Sequence, residues 1–242
     1  MFGKLPAIVL TLGLALAQPD PLALLKASID SLRGPAMSAT FEITIDRPGR
    51  TRRYVLQTLG DGGDRSLLRV LEPARYRGQA FLVRGDQIWI YDPRFRRTLS
   101  LPPSGKSGAF LGSDLSYQDF AGRDFERDYE VSIDSKTPKI ITLRLVPKPR
   151  APVPYGFLLL SIDASTNVPK VLTYYDQRNK AIKQILFLQA DPIGNGRFLV
   201  TQGEVKDLLK PERRTQFRVL EYQIGPVPDR CFTLNALEEG CP

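Results

Sequence analysis

The sequence predicts a mostly β (α+β) domain built on one large antiparallel sheet that has to curl. About a dozen short segments with strand-like patterning follow one another, joined mostly by hairpin-sized links rich in Gly, Asp and Pro. A single amphipathic helix precedes them. So many strands cannot stay flat over one helix, so the sheet must curl or close. Its concave side must then be filled or covered by the helix or a loop.

The chain opens with Lys4, an apolar run from Leu5 to Leu16 and the ending Ala15-Leu16-Ala17 before Gln18. This is the pattern of a secretory signal peptide, residues 1–17, too short to span a bilayer. No Cys stands at the cleavage point, so no lipid anchor is expected there. Residues 18–242 suit one sizeable core, and the processed chain is expected to be soluble outside the cytoplasm.

From Pro21 to Leu32 the spacing is helical. Leu22, Leu25, Ile29 and Leu32 form one stripe, Asp20 is placed to cap, and Pro21 suits the first turn. Phe41, Ile43 and Ile45 then alternate with Glu42, Thr44 and Asp46, and Pro48-Gly49 turns the chain. Further strands are expected over residues 53–59, 66–71, 79–83, 87–91 and 97–101, with turns at 60–64, 72–73 and 84–86. The later candidates are 129–133, 139–147, 156–162, 170–175, 181–189, 197–205 and 216–224. Several are apolar on both faces: Leu158, Leu160 and Ile162 oppose Phe157 and Leu159. One face can bury against a helix, and the other needs a second cover or a ligand. An ordinary two-layer core with nothing bound is the alternative.

Cys231 and Cys241 are the only cysteines. An even pair in an oxidising compartment suggests a disulfide that holds the FTLNALEEG tail, ending in a short helix, against the sheet edge; two free thiols are the alternative. The net charge of +8 is scattered rather than blocked. Such a surface can attract anionic headgroups or acidic partners, or simply solubilise, and gives no support to nucleic-acid binding.

The absence of His removes the commonest general base and metal ligand, and with it a Ser-His-Asp triad. Gly105-Lys106-Ser107 lacks the upstream Gly of a phosphate loop, and no Asp cluster follows a calcium-loop pattern. Asp114 and Asp119 could be read as a hydrolase pair, but their spacing does not secure a shared face, and satisfying nearby backbone donors is the structural reading. No catalytic residue, metal or cofactor is therefore expected.

Trp89 and Tyr91 share one face of a strand, where they could line an apolar cavity or pack in the core. Arg94, Arg96 and Arg97 after Pro93 form a basic rim. Pro102-Pro103 ends the strand, and Gly105, Gly108 and Gly112 precede a capped turn from Asp114 to Phe120. Residues 105–122 are expected to form a lid, with Phe110, Leu111, Leu115, Tyr117 and Phe120 as its apolar face.

Gly78-Gln79-Ala80-Phe81-Leu82, Ile88-Trp89-Ile90-Tyr91-Asp92-Pro93 with Arg96-Arg97, and Gly112-Ser113-Asp114-Leu115-Ser116-Tyr117-Gln118-Asp119-Phe120 together resemble the outer-membrane lipoprotein-sorting protein family, its LolA-like branch. The likeness continues through Asp128-Tyr129, Pro154-Tyr155-Gly156, Tyr174-Tyr175-Asp176, Thr201 and the stretch from Phe232 to Glu238. The resemblance implies an incomplete β-barrel whose concave side is covered by helices around an apolar cavity. It further implies a periplasmic carrier of lipoprotein acyl chains or other lipid, working with an inner-membrane transporter and an outer-membrane acceptor. Phe81, Trp89 and Tyr91 would line that cavity with Leu25 and Ile29 of the helix. An envelope-stress sensor or assembly module that binds a membrane protein partner is the alternative.

Overall fold

The computed structural model describes residues 19–120 and 125–241; the expected signal peptide lies outside the described residues. Helix α1, Pro21–Arg33, starts as its sequence dictates. The Asp20 carboxylate accepts the Leu22 amide at 3.1 Å, and Pro21 occupies the first turn, where its missing N–H costs nothing. Leu25 is buried, Leu22 and Ile29 pack beside it, and Leu32 stands partly exposed at the helix end.

The strands are β1 Ala36–Arg47, β2 Arg50–Asp61, β3 Arg65–Glu72, β4 Ala80–Arg84, β5 Gln87–Asp92, β6 Arg97–Ser100, β7 Tyr129–Lys136, β8 Ile140–Pro147, β9 Phe157–Asp163, β10 Pro169–Tyr175, β11 Ala181–Gly194, β12 Arg197–Asp207 and β13 Arg214–Ile224. Between β6 and β7 lie the short helices α2, Tyr117–Phe120, and α3, Phe125–Asp128; α4, Leu234–Glu239, closes the chain. All strands join one 13-stranded sheet in the order β6-β5-β4-β3-β2-β1-β13-β12-β11-β10-β9-β8-β7. Among the described residues every sheet pairing but one joins strands consecutive in sequence. The exception is β1 with β13, from Met37 opposite Ile224 to Asp46 opposite Arg214. Two meanders are thus joined side by side, with β6 and β7 as the outer edges.

The sheet is curled. Val83 of β4 and Leu172 of β10 border one cavity, although their strands stand seven places apart. Laid flat at roughly 4.8 Å per strand, they would be separated by about 30 Å. The concave face holds two apolar clusters, one under α1 from β7 to β12 and one from β1 to β4, and Phe217 of β13 packs against both. The outer face is covered over β3, β4 and β5 by α4, where Leu67, Ala80 and Leu82 bury Phe232, Ala236 and Leu237.

Because neighbouring strands alternate in direction, the β1–β2, β3–β4, β5–β6, β8–β9, β10–β11 and β12–β13 links share one end of the sheet. The β2–β3, β4–β5, β7–β8, β9–β10 and β11–β12 links share the other. Three expectations need correction. Strand β2 runs to Asp61, so the turn is confined to Gly62–Asp64, and β11 continues to Gly194 because register shifts after Phe187 accommodate Pro192. The tail helix lies on the sheet's outer face rather than its edge, since Ala236 and Leu237 find their apolar surface there. Cys231 and Cys241 are disulfide-bonded, with Cα atoms 4.8 Å apart.

Candidate functional site

A cavity of about 310 Å³ lies between the concave face and the segments that cover it. Ile29 and Leu32 of α1 line one side, and Leu115, Gln118, Asp119 and Phe125 of the β6–β7 connection line another. The floor is formed by Ala39 and Phe41 of β1, Leu68 of β3, Val83 of β4, Leu172 and Tyr174 of β10, Ile185 and Phe187 of β11, Val200 of β12, and Phe217 and Val219 of β13. Toward the end bordered by Leu32, Gly62, Gly63 and Asp64 the lining becomes exposed, which makes that end the open side. The size falls at the lower end of the roughly 300–1,000 Å³ of small-molecule sites, and the walls offer mainly carbon.

Gly203 shapes this floor. It faces Phe217 across the β12–β13 pair, and a side chain there would run into the Phe217 ring and the Leu186 carbonyl. Glycine therefore lets the ring lie flat over the neighbouring strand, between the two apolar clusters.

The cover is fixed to the sheet by two polar clamps. The Arg47 guanidinium donates to both oxygens of Asp114 at 2.9 and 3.0 Å and to the Gly112 carbonyl at 3.1 Å. The Thr215 hydroxyl donates to Asp114 at 2.8 Å and accepts the Asp114 amide at 3.0 Å. At the second clamp the Asp119 carboxylate takes the Lys183 ammonium at 2.6 Å, the Tyr174 hydroxyl at 3.1 Å, and the Ser116 amide and hydroxyl at 2.7 and 2.9 Å. The side chains of Asp114 and Asp119 are only 7 % and 6 % exposed, so each charge depends on these partners. Beside the first clamp the Ser113 hydroxyl accepts the Leu115 amide at 3.1 Å, and Leu115 packs inward.

The expected lid face divides between two tasks. Leu115 lines the cavity, whereas Phe110, Leu111 and Tyr117 pack on the cluster over β1 to β4, with the Phe110 ring 4.8 Å from that of Phe81. Burial raises the Tyr117 phenol above its ordinary value. Phe120 ends α2; its side chain and residues 121–122 lie outside the described residues.

Of the expected wall, Ile29 borders the cavity. Leu25 is buried in the cluster beneath α1, and Phe81 is sealed under Phe110. Trp89 and Tyr91 are on the opposite face: Leu82 pairs with Trp89 and Phe81 with Ile90, so strand alternation sends Trp89 outward to α4. Arg94 and Arg96 in the β5–β6 link and Arg97 at the start of β6 are exposed, at the end of the sheet away from the open side, and Arg94 pairs with Asp92 at 2.6 Å. Arg47, Tyr174, Lys183 and Thr215 were not legible as site residues, because they reach the cover across 55 to 101 positions of sequence. The sequence signal available was the pair of acids in an otherwise apolar cover.

A family model described as "Uncharacterized protein" matches residues 62–239. The chain belongs to that family. No curated protein matches the sequence. Among solved structures, the family member shares its fold with an outer membrane lipoprotein-sorting protein domain from Vibrio parahaemolyticus, at TM-score 0.79 and 18 % identity over 90 % of this chain and 98 % of the other. A DUF1329 family protein from Desulfovibrio piger gives TM-score 0.79 at 21 % identity, over 90 % and 100 %. A LolA superfamily protein from Nitrosomonas europaea gives 0.74 at 23 %, over 90 % and 99 %. Identities this low show a common fold.

Proposed function

We propose that this protein is a periplasmic carrier or binding protein for lipoprotein acyl chains or another lipidic cargo, with no catalytic step. The observation that carries the proposal is the apolar cavity between the curled sheet and a cover made of α1 and residues 105–120. The sheet serves as an incomplete β-barrel. Its concave side gives apolar chains a surface that water wets poorly, worth roughly 25 cal/mol for each Å² removed from solvent. The names of the similar solved structures, one a lipoprotein-sorting domain and one a LolA superfamily protein, agree with this use of the fold. Cargo would enter at the open side beside Leu32 and Gly62, while the clamps hold the far part of the cover in place.

The test is mass spectrometry of organic extracts from gently purified protein, together with displacement of a fluorescent fatty-acid probe by the extracted lipid. Co-purified lipid that competes with the probe supports the carrier. Protein that carries no lipid, ignores the probe and instead isolates with a membrane protein domain would replace it with the partner-binding module.

A further inference from the structure

The end of the sheet opposite the cavity's open side has lopsided surface charge. Arg77 in the β3–β4 link, Arg96 and Arg97 at β5–β6, Arg178 and Lys180 at β10–β11, and Lys210 at β12–β13 are all exposed there. Several neighbouring acids are taken up locally. Glu72 is held by Arg53 and Asp92 by Arg94, each at 2.6 Å. Asp176 accepts the amides of Arg178 and Lys180, and Asp207 those of Leu209 and Lys210. Glu212 is an exposed exception.

Two of these links also project large apolar side chains. Phe95 is 68 % exposed at β5–β6, and Leu209 is 52 % exposed at β12–β13 with Leu208 beside it. The Arg94 guanidinium sits 5.4 Å from the Phe95 ring centre. A merely solubilising surface has no use for an aromatic ring and a leucine pair at hairpin tips. At a bilayer interface the apolar groups can enter the headgroup layer while the cations meet lipid phosphates. The two tips stand several strands apart, on β5–β6 at one edge and β12–β13 near the middle, so together they would fix an orientation.

We infer that this end of the sheet docks on an anionic lipid bilayer, with Phe95 and Leu209 as apolar anchors and the surrounding Arg and Lys side chains as phosphate contacts. The surface is separate from the cavity, and its role does not depend on the cargo.

Co-sedimentation of the protein beginning at Gln18 with phosphatidylcholine vesicles, with and without phosphatidylglycerol, tests it. Binding should require phosphatidylglycerol and weaken with salt. The triple reversal R96E/R178E/K210E should lower partitioning about a hundredfold, given roughly a fivefold contribution per surface cation. K136E/K139E/R197E makes the same charge change at the opposite end and should alter it by less than about threefold, because those cations would face away from the bilayer. If the first triple variant does not fold, F95S/L209S carries the test, with a loss of about tenfold expected from the removed apolar area. No binding, equal binding to neutral vesicles, equal loss from both triple reversals, or full binding by folded F95S/L209S would each overturn the inference.

Discussion

At the residue scale, a missing side chain shapes the interior as much as any that is present. Gly203 gives the Phe217 ring its place between the two concave clusters, and a methyl group would have to displace both that ring and a β11 carbonyl. Gly203→Ala should therefore cost about 1–3 kcal/mol in urea unfolding and weaken probe binding in the cavity. On the surface, Asp163 organises the β9–β10 turn: its carboxylate accepts the Ser165 hydroxyl at 2.6 Å and the Ser165 and Thr166 amides at 3.0 and 3.1 Å. The Ser165 bonds foremost lower its pKa from 3.8 to about 2. A depressed carboxylate stabilises the fold above the unfolded pKa and loses that contribution as pH falls toward the folded one. Asp163→Ala should thus cost about 1 kcal/mol near neutrality, and its deficit should shrink between about pH 4 and pH 2 in paired denaturation curves.

At the level of elements, the cover is a short and irregular segment tied down by charge. Its helical turn in α2 is too brief to hold itself, so Asp114 and Asp119 supply what backbone regularity cannot. Asp114→Ala would remove the carboxylate that Arg47 and Thr215 share, leaving the partly buried guanidinium with backbone carbonyls alone. It should lower stability by about 3 kcal/mol and speed proteolysis near residue 112, while the strand content measured by circular dichroism stays unchanged. If the cover kept parental protease resistance, the clamp would be dispensable. The sequence pointed to a cover here through Pro102-Pro103 and the glycines, because those residues act locally. It could not disclose the clamps, because Arg47 and Lys183 look like any surface cation until the sheet brings them over the acids.

For the whole molecule, alternation and turn chemistry made most strands, α1 and the curled sheet legible. The facing of each strand was less so. The sequence pattern places Trp89 in the cavity with Phe81, yet the tight Arg84-Gly85-Asp86 turn sets Leu82 opposite Trp89, and one step of register reverses inside and outside. The cavity itself arises from curvature, which brings β4 toward β10 and leaves no mark in either strand. If it is the cargo site, Leu172→Trp should fill it, reducing fatty-acid probe affinity about tenfold at a stability cost of about 1–3 kcal/mol. Unchanged probe affinity in a folded variant would move the site elsewhere.

The single pairing between β1 and β13 also bears on how the chain reaches this state. Each meander can assemble from neighbouring hairpins whose contacts are local, whereas the β1–β13 ladder must close a loop containing nearly the whole chain. Folding should therefore proceed as two locally nucleated halves that zip together late. Pulse-labelling hydrogen exchange should find the amides that bridge Ile43 to Phe217 protected after those within β2–β3 and β8–β9. Phe217 and the clamp residue Thr215 lie on that last ladder, so the cavity would acquire its floor and its cover in the same closing step.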